Sequence, residues 1–165
     1  YQINNSCVAS TTRGIILGGN TGLTSNVMDY VTIANTGNAT DFGDLTESKS
    51  NVHSVHSTTR GIRIGGQSDT NVMDYITMAS AGNATDFGDL LVSTNSNYHT
   101  SVHDGTYGYI HQYASAGSGR KQKITMATTA NATEQADGPF EFFPNFDDYL
   151  ASSHCTGKGW IAATG

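Results

Sequence analysis

The sequence predicts an all-β fold. Three observations carry the prediction: abundant turn residues, short runs in which apolar and polar residues alternate, and a segment pattern that returns at a fixed interval. The 165 residues include 19 Gly but only 2 Pro. With many Ser, Thr, Asn and Asp, that composition favours frequent turns over long helices. No apolar stripe at helical spacing persists, because Gly interrupts every window.

The repeat is the strongest of the three signals. Residues 10–15, Ser-Thr-Thr-Arg-Gly-Ile, recur as 57–62, and Gly14 and Gly61 are therefore 47 apart. Residues 26–30, Asn-Val-Met-Asp-Tyr, recur as 71–75, a step of 45. Residues 37–45, Gly-Asn-Ala-Thr-Asp-Phe-Gly-Asp-Leu, recur unchanged as 82–90. The two-residue change of step falls in the polar stretch 20–25, where a surface loop tolerates it.

A third copy is degenerate. Gly108 lies 47 after Gly61, residues 123–127 (Lys-Ile-Thr-Met-Ala) echo 75–79, and Asn131-Ala132-Thr133 echoes Asn83-Ala84-Thr85. The Asp-Phe-Gly-Asp-Leu block gives way to residues 138–144, Gly-Pro-Phe-Glu-Phe-Phe-Pro. Residues 158–163 align with 13–18 and open a fourth copy. The whole chain, 1–165, reads as one repeat array, with units at about 6–51, 52–97 and 98–150 and a partial unit at 151–165.

Each unit reads as four short strands, most clearly in the second copy. Residues 52–57 alternate apolar and polar, as a half-buried strand does. Residues 61–66 form a second strand ended by Gly65-Gly66, a pair that permits positive φ. Residues 71–78 are rich in β-branched and aromatic side chains and form a third. Residues 82–85 carry turn chemistry, and 86–90 form a short last strand or strand edge. Four strands in about 46 residues is the size of one propeller blade.

Composition excludes several classes. Eight Lys and Arg against fourteen Asp and Glu give a net charge of −6, which lacks the basic footprint that nucleic-acid binding requires. No run approaches the 18 apolar residues of a spanning helix, so no membrane insertion is expected. The regular blocks of Val, Ile, Tyr and Met do not fit a disordered chain. The sequence starts at Tyr1 without Met or a signal peptide, so a processed chain or a piece of a longer one is expected. Cys7 and Cys155 lie near opposite ends, and two cysteines do not make a disulfide framework; a bridge and two free thiols both remain open.

The strand order, the double glycine at Gly65-Gly66 and the aromatic at Tyr75 resemble the kelch repeat, with Phe42 and Phe87 where that family carries a fourth-strand Trp. The wording Arg-Gly-Ile … Asn-Val-Met-Asp-Tyr … Gly-Asn-Ala-Thr-Asp-Phe-Gly-Asp-Leu is also similar to repeats of structural and tail-fibre-type proteins of marine cyanophages and related phages. The resemblance covers residues 6–135 well. It implies kelch-like propeller blades, about three and the start of a fourth, where a closed propeller typically has 4–8. An array so short leaves open ends that need capping neighbours. It is therefore expected to be part of a longer chain, to close with copies of itself, or to be capped by its divergent third unit around Phe140, Phe142, Phe143 and Phe146. The kelch likeness also raises galactose-oxidase-like copper chemistry, but the required Tyr/Cys/His arrangement is not found.

Chemistry-bearing candidates are few. His56, His103 and His154 each lie five residues before the unit glycine, with His53, His99 and His111 nearby. On strands lining an axis they could converge on a metal, although repeat copying explains the spacing without function. The pairs Asp41/Asp44 and Asp86/Asp89 could hold Ca²⁺ or act as acid and base, but copying in two units favours turn formation and edge protection. The triplets at Asn38, Asn83 and Asn131, and Asn4-Asn5-Ser6, match the glycosylation pattern, for which a turn is the simpler cause. Tyr98, Tyr107, Tyr109, Tyr113 and Trp160 could stack on a glycan or pack between blades. Neither a nucleophile motif nor a phosphate loop is present.

The expectation is a non-enzymatic structural or receptor-binding protein of a phage virion, a tail fibre or appendage, without cofactor, at the virion surface or outside the cell. Its expected partners are copies of itself, other virion proteins or a host surface glycan. The alternative is a secreted, lectin-like carbohydrate-binding propeller; a glycan-active enzyme is a third reading.

Overall fold

The computed structural model describes residues 4–68, 70–94, 99–112, 120–135, 150–155 and 158–163. In residues 94, 99, 150–155 and 158–163 only the backbone is described. Every regular element among them is a strand. The first sheet joins β1 (Ser6–Ala9), β2 (Arg13–Asn20), β3 (Thr24–Thr32) and β4 (Thr40–Asp44). The second joins β5 (His53–His56), β6 (Arg60–Ile64), β7 (Thr70–Thr77) and β8 (Thr85–Thr94). β9 (His99–His103), β10 (Tyr107–Gln112), β11 (Arg120–Thr125) and β12 (Thr133–Glu134) form the third, and β13 (Leu150–Cys155) pairs with β14 (Lys158–Ala163). Strands pair in chain order and all antiparallel, so each four-stranded sheet is a simple meander. Among the described residues no sheet closes into a barrel and no ring of sheets is formed.

The all-β expectation and the four strands per sheet hold. The last strand of the second sheet is longer than expected, running on from Leu90 to Thr94. The glycine pairs take the conformations that only Gly adopts freely: Gly65 and Gly66 have φ of 53° and 139°.

The core lies between sheets rather than within one. Ile15, Leu17, Met28 and Phe42 of the first sheet pack with Ile76 and Met78 of the second. Ile62, Ile64, Met73 and Phe87 of the second pack with Ile110, Ile124 and Met126 of the third. Strand alternation sets this up, since successive side chains leave a strand on opposite faces. On β7, Met73 and Tyr75 point to the third sheet, while Ile76, with Met78 just beyond the strand, meets the first. Tyr30 meets Phe42 edge to face at 5.9 Å, and the copied pair Tyr75 and Phe87 does the same at 6.2 Å.

First strands lie side by side from sheet to sheet. The Ser6 and Ser54 hydroxyls are 2.6 Å apart, Ser54 Oγ donates to the Cys7 carbonyl at 2.9 Å, and Ser101 Oγ donates to the Ser54 carbonyl at 3.0 Å.

Candidate functional site: the sheet-to-sheet interfaces

Each four-stranded sheet has two unlike faces. One, the leading face, meets the following sheet in the first and second sheets; the other, the trailing face, meets the preceding sheet in the second and third. The copied motifs divide between them.

The Asp-Phe-Gly-Asp-Leu block belongs to the leading side. Its strand carries a bulge: Met28 pairs with Gly43 but Asp29 pairs with Asp41, and Met73 with Gly88 but Asp74 with Asp86. Asp41 Oδ1 accepts from the Gly43 amide at 3.1 Å, and Asp86 Oδ1 from Gly88 at 3.2 Å, which shapes the bulge locally. Gly43 and Gly88 have φ of 134° and 129°. A Cβ on Gly43 would lie 2.5 Å from the Gly82 carbonyl oxygen, and one on Gly88 2.7 Å from the carbonyl of Ala130. Backbone of the following sheet lies directly on these glycines.

The Asn-Ala-Thr triplet is the other half of the contact. The Gly82 amide donates to the Phe42 carbonyl at 2.6 Å and the Ala84 amide to the Asp44 carbonyl at 2.8 Å. Asn83 Oδ1 accepts from the Asp44 amide at 3.1 Å. One sheet on, Ala132 donates to the Asp89 carbonyl at 2.8 Å, and Asn131 Oδ1 accepts from Asp89 at 3.0 Å. The triplet thus clasps the bulged edge of the preceding sheet. A local turn does not account for it; Asp41 and Asp86 make the local backbone hydrogen bonds expected of them, and the edge itself is covered by the next sheet's backbone.

Two further contacts recur. Arg13 lies over the Tyr30 ring, 4.7 Å from its centroid, and donates to the Met78 carbonyl at 3.1 Å. Arg60 lies over Tyr75 at 4.6 Å and donates to Met126 at 3.3 Å. Gly61 faces Val8, with 2.6 Å from a Cβ position to the valine methyl, and Gly108 faces Val55 at 2.9 Å. Larger residues there would push the first strands apart.

An ion pair is buried where the first sheet meets the second. Arg63 donates to Asp74 Oδ2 from Nε at 3.1 Å and from Nη2 at 2.6 Å, and its Nη1 donates to the Gly65 carbonyl at 2.7 Å. Thr46, just beyond β4, donates to the same carboxylate from its hydroxyl at 2.5 Å and its amide at 3.3 Å. Glu47 sits 3.6 Å from the guanidinium and accepts from the Thr70 hydroxyl at 3.0 Å. With both charges inaccessible to water, these bonds are what make their burial tolerable. The third sheet solves the same problem without charge. Gln122 stands where Asp74 stands, accepts from the Leu91 amide at 2.7 Å and donates to Gln112, which donates in turn to the Val92 carbonyl.

His56 and His103 are brought together, their ring centroids 4.3 Å apart. The His154 side chain lies outside the described residues. Among the described residues no three His, Cys, Asp or Glu side chains gather as a metal site would require. His111 is held below its ordinary pKa by burial and then by the nearby charge of Lys121.

Of the aromatic candidates, Tyr107 and Tyr109 are half-buried neighbours with centroids 6.4 Å apart. Lys123 Nζ sits 3.7 Å from the Tyr107 ring centre and 5.9 Å from that of Tyr109, a cation–π contact on the Tyr107 ring. The Tyr109 hydroxyl donates to Asp104 at 3.4 Å. Burial and then the Asp104 charge raise the Tyr109 pKa. Asp104 itself lies below its ordinary value: burial works to raise it, but the Tyr107 and Thr106 amides and the Tyr109 hydroxyl outweigh that. Tyr98 and Tyr113 lie outside the described residues, as do the Trp160 side chain and the segment with Phe140, Phe142, Phe143 and Phe146. Cys7 is exposed on β1, and the Cys155 side chain is not among those described.

Sequence reasoning missed the clasp. The signal was present: nine residues, 37–45, are copied without change in 82–90, more than a turn demands, and the third copy keeps the Asn-Ala-Thr half while losing the Asp-Phe-Gly-Asp-Leu half. Compared with family models and with curated proteins, the chain matches none of them.

Proposed function

We propose that this chain is a non-enzymatic structural or receptor-binding array of kelch-like propeller blades, of the kind that builds a tail fibre or other surface appendage of a phage virion. The observation that carries the reading is the use of the copied polar residues. Arg13, Arg60, Asn83, Asn131 and the Gly-Asp edges all serve contacts between sheets, so the recurrent chemistry of the chain is assembly chemistry. Two features support blades as the unit. Each sheet is a four-stranded meander, and the first strands lie side by side, as inner strands do around a propeller axis. The virion setting rests on the resemblance of the repeats, and fold alone carries no function.

Imaging of the assembled particle or filament tests the reading. Density for stacked four-stranded blades in a virion appendage is the expected result. Release of soluble sugar from a host polysaccharide by the purified chain would overturn the non-enzymatic assignment. Binding on a glycan array without any assembly would replace it with a lectin.

A further inference from the structure

The trailing face of the first sheet carries the docking chemistry of its two successors and has no sheet against it among the described residues. Step by step, its residues match those that are occupied elsewhere. Val31 and Ile33 correspond to Ile76 and Met78, yet they are 40% and 58% exposed where their counterparts are 4% and 1%. Gly14 corresponds to Gly61 and Gly108; a Cβ there would meet only Val31 of its own sheet, at 3.6 Å, with no neighbouring valine pressing on it. Asn38 and Ala39 correspond to Asn83 and Ala84, and no described residue bonds the Asn38 side chain or the Ala39 amide. Asp29 corresponds to Asp74, whose carboxylate holds the strap that follows the preceding sheet's β4.

The geometry points to this face as a docking site for a further sheet of the same repeat, one bearing an Arg-Gly strand and an Asp-Phe-Gly-Asp edge. The argument is continuity with the two interfaces already present. The same amides, the same Asn oxygen and the same pair of apolar positions grip such an edge at both. A second copy of this chain offers no open edge of that kind among its described sheets. Its two Asp-Phe-Gly-Asp edges are covered by its own second and third sheets, and the third sheet has Thr133-Glu134-Gln135 where Thr85-Asp86-Phe87 stands in the second. The occupant is therefore a repeat sheet of the first or second type. This inference rests on sheet geometry alone and stands whether or not the virion reading does.

The test is the 165-residue chain with a duplicate of residues 4–50 inserted between residues 3 and 4, which keeps the 47-residue step. Amide exchange is compared with that of the parent chain. The expected result is slowing of the original Ala39 amide by at least about 100-fold, and loss of that slowing when the duplicate carries Gly43→Val. Gly14→Ala in the original unit, neutral in the parent, is expected to destabilise the extended chain. A folded duplicate that leaves Ala39 exchanging as before overturns the inference. So does a duplicate that stays unfolded, since a face that fits would order it as the equivalent face orders the second sheet.

Discussion

The first and third sheets are built from one repeat and differ in which half of it they keep. The first has both halves intact, with only its leading side engaged. The third keeps the trailing half, Asn131, Ala132, Ile124 and Met126, and has shed the leading half. Among the described residues its edge strand covers Thr133–Glu134, and the Asp-Phe-Gly-Asp sequence is replaced. Its arginine position, equivalent to Arg60, is Tyr107, and its Tyr75 position is Lys123. Cation and ring have exchanged strands: Lys123 lies over Tyr107 where Arg60 lies over Tyr75. The cation–π contact survives, but the guanidinium that reached the next sheet's carbonyl does not. The difference teaches that the repeat is two separable interfaces: the first sheet keeps both with one engaged, and the third keeps only the one that is engaged.

The largest expected effect is at the buried ion pair, which the third sheet replaces with neutral residues. Asp74→Ala leaves buried Arg63 with only the Gly65 carbonyl and the more distant Glu47, and should cost about 3–5 kcal/mol in denaturant unfolding. Ile110 and Gln122 occupy the corresponding places in the third sheet. The double change Arg63→Ile with Asp74→Gln should therefore recover most of that loss. A double variant as unstable as the single one would show that the two sheets do not solve the same problem.

Next come the bulge glycines. Gly88→Val puts a branched side chain at positive φ against the Ala130 backbone and should cost about 3 kcal/mol or more. Gly37→Ala, with nothing within 4 Å of its Cβ position, should cost about 0.5 kcal/mol or less. Equal losses at the two positions would contradict the close approach of the third sheet's backbone at Gly88.

A smaller contrast is expected at the strand glycines. Gly61→Ala should destabilise by about 1–3 kcal/mol, because its methyl collides with Val8, while Gly14→Ala stays near neutral in the isolated chain. The clasp asparagines give the smallest difference. Asn83→Ala should cost about 1 kcal/mol by removing the acceptor for the Asp44 amide, and Asn38→Ala almost nothing.

Much of this fold was legible because strands and repeats leave local marks. Alternation in 52–57, the Gly65-Gly66 pair and the β-branched run 71–78 each announce a strand or its end within a few residues. The interfaces were not legible, because they join residues about 40 to 65 apart, as Asn83 joins Asp44 and Arg13 joins Met78. Asn-Ala-Thr looks the same whether it turns the chain or clasps another sheet. Likewise, histidines at a regular step could have been ligands, and the sequence contained nothing to show that the His56 and His103 rings would meet. For Tyr107 and Tyr109 the sequence left glycan stacking and packing between blades both open, because the cation beside them, Lys123, comes from the neighbouring strand.

The central claim is that copied residues are engaged only where a sheet of the same array lies against them. Native-state hydrogen exchange of the isolated chain tests it most directly, at three equivalent amides. Ala84 and Ala132, bonded to Asp44 and Asp89, should exchange slowly, and Ala39 should exchange near the rate of an open loop. Equal protection of Ala39 and Ala84 in a monomeric sample, or rapid exchange at all three, would contradict it.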